Sequence, residues 1–243
     1  MVNAAAAPQT PLHDDLVDML ASTSRAERDL FAGLDPADRD APRRIGEWSA
    51  KDVLAHLAAW RSIEAQRLEG TEPPDGPGSI ESEDEANAVI HSERAEWPWD
   101  RVADAANGSI ESLISAIRHT DAETLKSSEG MAASIGASGT NHAIGHLGDV
   151  ARISDQHDRY REFANEIEEI VLRRRLPPRD SGTVLYNIAC YHALAGDLDD
   201  ARRFLRDAFD LRPDLVDYAP TDSDLASLRE ELPQIASSEA AKG

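Results

Sequence analysis

Helical periodicity is the feature that most constrains how this chain can fold. Apolar residues recur at mixed three- and four-residue spacings, as at Leu16, Met19 and Leu20, and no segment of residues 1–160 alternates convincingly at period two. Aromatic residues make up only 5% of the sequence and alanine is abundant. That composition favours packed helices over sheets, in which β-branched and aromatic residues are enriched. The pattern predicts an all-α protein.

Start and stop signals divide the first two-thirds of the chain into helices. The predicted helices run from about Leu12 to Gly33, from Ser49, over 81–97, from Pro98, and from Asn141 to beyond Arg159. Ser49 and Asp52 form a variant of the capping box at the start of the second helix. We therefore predict an up-and-down four-helix bundle over residues 11–172, preceded by a disordered tail at 1–10.

A second helical part follows the bundle. Residues 173–182, with three arginines, two prolines and a glycine, are predicted to form a linker. The next segment resembles one tetratricopeptide repeat, a helix–turn–helix unit. The positions that carry this resemblance, counted back from Pro213, are Leu185, Ile188, Ala189, Gly196, Ala201, Leu205 and Ala208. We predict the repeat and a capping helix (219–232) over 183–232, and a disordered tail over 233–243.

The isolated repeat and the overall charge define the partners we expect. A lone repeat cannot bury its own apolar face, so it should pack on the bundle, on a protein partner or on a second copy of the chain. The net charge of −21 argues against nucleic acid and anionic membranes as partners, because both attract basic surfaces.

Several absences in the sequence point to a cytoplasmic location. No apolar stretch reaches the roughly 20 residues of a membrane span. The first residues lack the basic region and the longer apolar segment of a signal peptide. Cys190 is the only cysteine, so no intrachain disulfide can form and a reducing compartment is expected.

Three of the eight histidines form a candidate metal site. His56 falls between Trp60 and Ile63 on a helical wheel and points inward, where a bare imidazole is costly to bury. His142 and His146 are four residues apart and share one helix face. Taken alone, His56 fits a hydrogen-bonded core residue, and the pair fits two polar residues. Together they offer three nitrogen ligands, which suit zinc, nickel or another first-row divalent ion and leave one coordination position open.

The other histidines are assigned structural roles. Four lie among polar residues and are predicted to be solvated, namely His13, His91, His119 and His157. His192 is predicted to pack within the repeat.

Four further residues near the candidate site have two interpretations each. Asp149, one turn beyond His146, is either an outer carboxylate that orients a ligand histidine or relays a proton, or a solvated charge. Trp48 and Trp60 are expected to pack in the core, with pocket lining as the alternative. Arg61 is expected at the surface, with contact to a substrate carboxylate as the alternative.

Two segments of the sequence resemble a known superfamily. WSAKDVLAHLAAW (48–60), followed by NHAIGHLGDV (141–150), is similar to the DinB/YfiT-like four-helix-bundle superfamily over roughly residues 10–165. The resemblance implies one divalent metal held by His56, His142 and His146. The superfamily includes transferases that use bacillithiol, mycothiol or glutathione, and mycothiol-dependent maleylpyruvate isomerases. KDVLAHLAAW and NAVIHSERAEWPWDRV also resemble the colibactin self-resistance branch, which acts on reactive electrophiles.

The leading hypothesis is a metal-dependent thiol S-transferase or isomerase that acts on a small electrophile. The metal would lower the pKa of a bound thiol or water. A low-molecular-weight cofactor would supply the thiol, because Cys190 lies in an apolar helix with no basic neighbour in sequence. The alternatives are a self-resistance hydrolase or shield for a reactive metabolite, and a non-enzymatic binding bundle whose repeat recruits a protein. A site closed by a fourth protein ligand would favour a structural role.

Overall fold

The computed structural model describes residues 8–41, 48–127 and 136–237. No β-strand occurs within these ranges, which confirms the predicted all-α class. The chain divides into two compact units, Met1–Phe163 and Ala164–Gly243. Most of the predicted N-terminal tail (1–7) and the end of the predicted C-terminal tail (238–243) lie outside the described residues, as do residues 42–47 and 128–135.

Four helices form the bundle of the first unit: α1 (Pro11–Ala32), α3 (Ala50–Glu69), α5 (Trp99–His119) and α7 (His142–Ile153). Further elements lie between them: α2 (Pro36–Arg39), a 3-10 turn (Pro77–Ser79), α4 (Glu83–Arg94), α6 (Ala122–Ser127) and a π-helical turn (Ala137–Asn141). α3 packs along α5 and α4, and α1 packs along α5 and α7. This arrangement is the predicted four-helix bundle.

Local signals explain both ends of α3. The Ser49 hydroxyl accepts a hydrogen bond from the Asp52 backbone N–H (3.1 Å), and the Asp52 carboxylate accepts one from the Ser49 N–H (3.0 Å). This capping box satisfies two backbone donors at the helix start, as predicted. The helix ends at Gly70, whose φ of 67° is readily adopted only by glycine.

The helix predicted to run on from Asn141 is broken after α7. α7 ends at Ile153, and Asp155 adopts a left-handed backbone conformation with a φ of 56°. The Gln156 side-chain amide donates a hydrogen bond to the Leu30 carbonyl oxygen of α1 (2.9 Å). A new helix, α8 (His157–Val171), follows and extends across the boundary between the units. The break depends on this contact with a distant helix, which periodicity does not encode.

Arg61 is buried, so the prediction that it lies at the surface is wrong. Its guanidinium donates to both carboxylate oxygens of Glu27 on α1, with Nη1–Oε1 and Nη2–Oε2 distances of 3.2 and 2.7 Å. Both side chains are almost fully buried. The two-point pairing supplies the charge compensation that a buried guanidinium requires. The ion pair therefore links α1 to α3 inside the bundle.

His13 is also buried, contrary to its predicted solvation. Its Nδ1 lies 3.1 Å from the Thr10 backbone N–H, and its Nε2 lies 2.8 Å from the Thr120 carbonyl oxygen. Because Nδ1 accepts from a backbone donor, Nε2 carries the proton and donates to the carbonyl. The ring therefore connects the start of α1 to the end of α5.

The second unit contains a helical hairpin. Its helices after α8 are α9 (Pro178–Ala195), α10 (Leu198–Leu211), α11 (Leu215–Tyr218) and α12 (Leu232–Ser237). α9 and α10 pack together around Gly196, whose φ is 85°. His192 is buried and stacks on Phe204 with an interplanar angle of 7°, in line with its predicted packing role. The membership of this hairpin in the tetratricopeptide class stays a prediction.

Two boundaries in the second unit differ from the sequence-based prediction. α9 begins at Pro178 within the predicted linker, because proline suits a first helical position whose N–H needs no partner. The predicted capping helix is replaced by two 3-10 turns, Ala219–Thr221 and Ala226–Leu228, and α12 extends into the predicted tail. Asp222 accepts hydrogen bonds from the Asp224 N–H (2.9 Å) and the Tyr186 hydroxyl (2.8 Å), which favours a turn over a continuous helix.

None of the described helices combines the length and apolar character needed to cross a lipid bilayer.

We expect Arg61→Ala to lower the free energy of unfolding by about 3–5 kcal/mol, because it leaves the Glu27 carboxylate buried without a counter-charge. Arg161→Ala is the control. Arg161 pairs with the exposed Asp158 on the surface of α8, so its loss should change stability by at most about 1 kcal/mol. Urea unfolding followed by circular dichroism measures both values. Equal losses in the two variants would show that the buried pair has no special contribution.

Candidate metal centre

The structure brings His56 of α3 together with His142 and His146 of α7. The Nε2 atoms of His56 and His142 lie 2.9 Å apart, and one ring nitrogen from each of the three residues lies within 4.8 Å of the others. The His56 ring is inclined by 87° to the ring of His142 and by 80° to that of His146. Lone pairs from differently oriented rings can therefore point to one shared position, as a metal ion requires.

This donor set fits a divalent transition metal. Bonds of about 2.0–2.1 Å to a tetrahedral ion place neighbouring nitrogens roughly 3.3 Å apart, close to the separation of the His56 and His142 Nε2 atoms. Within the described ranges, no fourth His, Cys, Asp or Glu side chain joins the group. His56 is buried, and its Nδ1 has no hydrogen-bond partner among the described residues. A metal at Nε2 would offset the burial of that nitrogen, while Nδ1 would keep its proton.

Burial keeps the three imidazoles neutral. It lowers the pKa of His56 to about 2, with further lowering from the charges of His142 and His146. It lowers the pKa of His142 to about 3, aided by His146 and by the nearby Arg61. Burial also lowers the pKa of His146, while the negative charge of Asp149 opposes that shift. Neutral imidazole is the form that binds metal ions, so at neutral pH the site needs no prior loss of protons.

The π-helical turn before α7 sets the position of the histidine pair. Thr23 of α1 donates its hydroxyl proton to the Met19 carbonyl oxygen (2.8 Å) and lies 2.8 Å from the Thr140 hydroxyl. Because the Thr23 proton is already used, Thr140 is the donor in this second bond. Both threonines are buried, and His142 follows Thr140 by two residues. This contact anchors the start of α7 to α1.

Trp48 forms an aromatic wall on one side of the histidines. Its ring centroid lies 4.6 Å from that of His56 and 6.3 Å from that of His146. Of its two predicted roles, the structure therefore favours lining the site. Trp60 has the predicted packing role: it packs against a small apolar cluster that includes Ile90, and its Nε1 donates to Asn87 (3.0 Å).

His91 lies beside the site, although it was predicted to be a solvated residue. Its ring stacks on Trp48 with an interplanar angle of 10°, and its Nε2 lies 3.6 Å from Asp52. Both His91 and His56 line a small cavity between α3 and α4. The sequence around His91 is acidic and polar, so no apolar stripe indicated this position.

Asp149 lies one helical turn beyond His146, half-exposed at the edge of the site. Its carboxylate accepts a hydrogen bond from the Arg152 guanidinium. In the part of the chain that the structure describes, no hydrogen bond joins Asp149 to His146. The negative charge is nevertheless close enough to oppose the lowering of the His146 pKa by burial. Its predicted role in orienting a ligand stays a prediction.

These features agree with a match to a known family. The model of the DinB superfamily matches residues 19–150, which is more than half of the chain and includes all three histidines. The chain belongs to the DinB superfamily. Members of the DinB superfamily bind metals, and the three histidines of this chain form a group that could hold one. No curated protein and no solved structure matches the chain.

We expect His56→Ala to abolish tight binding of zinc or nickel, because two imidazoles hold a divalent ion less firmly than three. Asp149→Asn should be milder, with a loss of affinity of about 10- to 100-fold if the carboxylate supports a ligand. Isothermal titration calorimetry with zinc or nickel, on protein purified without a polyhistidine tag, measures the affinity. His119→Ala, on the exposed end of α5, is the control and should bind as the wild type does. Unchanged metal binding by His56→Ala would contradict the site.

The stability of the metal-free protein should fall as the pH drops below about 6.5. Unfolded histidines take up protons near this pH. The folded site stays neutral because the pKa values of His56 and His142 are lowered to about 2 and about 3. Between about pH 3 and about pH 6.5 the unfolded state binds more protons than the folded state, so acidification favours unfolding.

Urea unfolding in the presence of a chelator, from about pH 7 down to about pH 5, measures this dependence. Replacing all three histidines by glutamine should flatten it relative to the wild type. Equal slopes in the two proteins would show that the site is not the source of the pH dependence.

Proposed function

We propose that the protein is a metal-dependent enzyme that transfers a low-molecular-weight thiol, of the mycothiol or bacillithiol type, to a small electrophile or uses that thiol to isomerise it. One observation carries the proposal: three neutral imidazoles converge with no fourth ligand among the described residues. Three protein ligands and an open position are typical of catalytic metal sites. The bound metal supplies Lewis acidity, which lowers the pKa of a thiol or water.

The chain supplies binding, shielding and proton transfer around this centre. His56, His142 and His146 would hold the metal, while Trp48 limits the access of water on one side. Activation of a thiol releases a proton that a nearby group must accept. His91 is well placed to accept this proton, because it is half-exposed and stacks on Trp48. Asp149 is a second candidate from the α7 side of the site.

The properties of Cys190 support an external source for the thiol. This side chain is buried in α9. Burial is the main cause that raises the pKa of its thiol well above the usual range, and the nearby Asp222 carboxylate raises it further. Its Sγ lies 3.8 Å from the Asp222 carboxylate. A thiol that stays protonated is a poor nucleophile. The nucleophilic sulfur would therefore belong to a cofactor.

Hydrolysis of a reactive small molecule is the second candidate. The cavity that His56 and His91 line has a volume of about 10 Å³, which is room for about one water molecule. A water molecule held in this cavity would lie beside His56 and would be the attacking group. This candidate keeps the same metal ligands and differs only in the attacking group.

We expect zinc- or nickel-loaded protein to consume a low-molecular-weight thiol in the presence of a model electrophile such as a haloalkyl aromatic compound. His56→Ala should lose at least about 100-fold in rate, because the Lewis acid is lost with the ligand, while the control His119→Ala keeps full activity. Thiol loss is followed colorimetrically across a panel that includes mycothiol, bacillithiol and glutathione.

Three results would contradict the thiol-transferase proposal. Turnover that survives complete chelation would exclude a metal mechanism. Metal-dependent loss of the electrophile without thiol consumption would identify the hydrolase instead. Tight metal binding without turnover of any kind would indicate a non-enzymatic binding bundle.

A further inference from the structure

A second cavity in the first unit lies among α1, α2, α3 and α5. Its volume is about 290 Å³, and none of the three histidines lines it. Its apolar walls include Phe31, Leu54 and Trp99, and the Phe31 and Trp99 ring centroids lie 6.1 Å apart. A concave, aromatic-walled cavity of this size is suited to a small organic ligand with a ring.

Two arginines at this cavity lack an acidic partner within the described residues. The Arg39 guanidinium lies over the Trp99 ring, 4.6 Å from its centroid, and its buried Nε has no hydrogen-bond acceptor there. Arg28 donates to the uncharged Ser24 hydroxyl (2.6 Å). The chain has 46 acidic residues and a net charge of −21, so carboxylates are abundant. Arginines without a carboxylate in such a protein leave strong donors for an external anion.

Among the described residues that line the cavity, one is acidic, and it does not cancel this positive charge. Glu27 lines the cavity, but both of its carboxylate oxygens already accept hydrogen bonds from Arg61. Its charge is therefore compensated inside the bundle. The lining keeps the uncompensated charges of Arg28 and Arg39, and Asn107 adds an uncharged polar group.

We propose that this cavity binds an aromatic carboxylate. The ring would lie against Phe31 and Trp99, and the carboxylate would accept hydrogen bonds from Arg39 and Arg28. The planar guanidinium matches a carboxylate in geometry, and stacking on Trp99 restricts its orientation in advance. A neutral aromatic molecule would leave the charges of Arg28 and Arg39 without a counter-ion. The apolar walls disfavour a small hydrophilic anion, so both features together select an aromatic acid.

This site is independent of the metal chemistry proposed above. Leu54 lines the cavity, whereas His56, two residues later on α3, faces the histidine cluster. Residues two apart on a helix point in nearly opposite directions. Binding at the cavity should therefore persist in metal-free protein.

Isothermal titration calorimetry of the full chain with 2-naphthoate tests the proposal. We expect saturable binding at one site, and Arg39→Gln should weaken it at least about tenfold by removing a charged hydrogen-bond donor. Ala103→Leu should also weaken it, because Ala103 lines the cavity and the larger side chain fills part of it. Circular dichroism confirms that each variant is folded.

Arg101→Gln is the matched control. Arg101 lies on α5, as the cavity residues Trp99 and Ala103 do. Its guanidinium lies over the Trp97 ring, 3.8 Å from the ring centroid, but Arg101 does not line the cavity. Its replacement should leave the affinity for 2-naphthoate within about twofold of the wild type, because a donor outside the cavity makes no hydrogen bond to the ligand.

Four outcomes would overturn the proposal. They are the absence of binding at millimolar 2-naphthoate, equal affinity for the neutral 2-naphthamide, unchanged binding by Arg39→Gln, and loss of binding on chelation of metal. The last outcome would place the acid at the histidine cluster instead.

Discussion

One buried and two partly buried imidazole rings in an apolar helical bundle are the constraint around which the first unit is arranged. Charged imidazoles would be strongly disfavoured there, and the lowered pKa values of His56 and His142 show that the rings stay neutral. Arg61 adds positive charge near His142, and Glu27 compensates it through a two-point ion pair. The metal site and the packing of α1 on α3 are therefore parts of one electrostatic arrangement.

The sequence was sufficient to predict the bundle and its three central histidines. Each helix carries an apolar stripe at helical spacing, and the Ser49–Asp52 box and Gly196 are local signals that the structure retains. The pairing of His142 with His146 follows from their spacing alone. Their meeting with His56 required the superfamily resemblance, because periodicity gives the inward face of a helix but not its neighbour.

The features that the sequence did not predict depend on contacts between distant residues. Arg61 is buried because Glu27 lies on another helix, and His13 is buried because Thr120 receives its proton. His91 lies beside the site because its ring stacks on Trp48. The apolar pattern of its own helix did not indicate this position. In each case the identity of the residue suggested a solvated side chain. A partner far along the chain reverses that preference, since a satisfied polar group can be buried at little cost.

The π-helical turn Ala137–Asn141 has a consequence for how this superfamily member can vary. Successive helical residues differ by about 100° in direction, so one inserted or deleted residue between the Thr140 anchor and His142 would rotate both α7 histidines away from His56 together. The register of α7, more than the identity of its surface residues, is thus the property that natural variation must preserve. Changes in chain length between Thr140 and His146 would separate the two halves of the site.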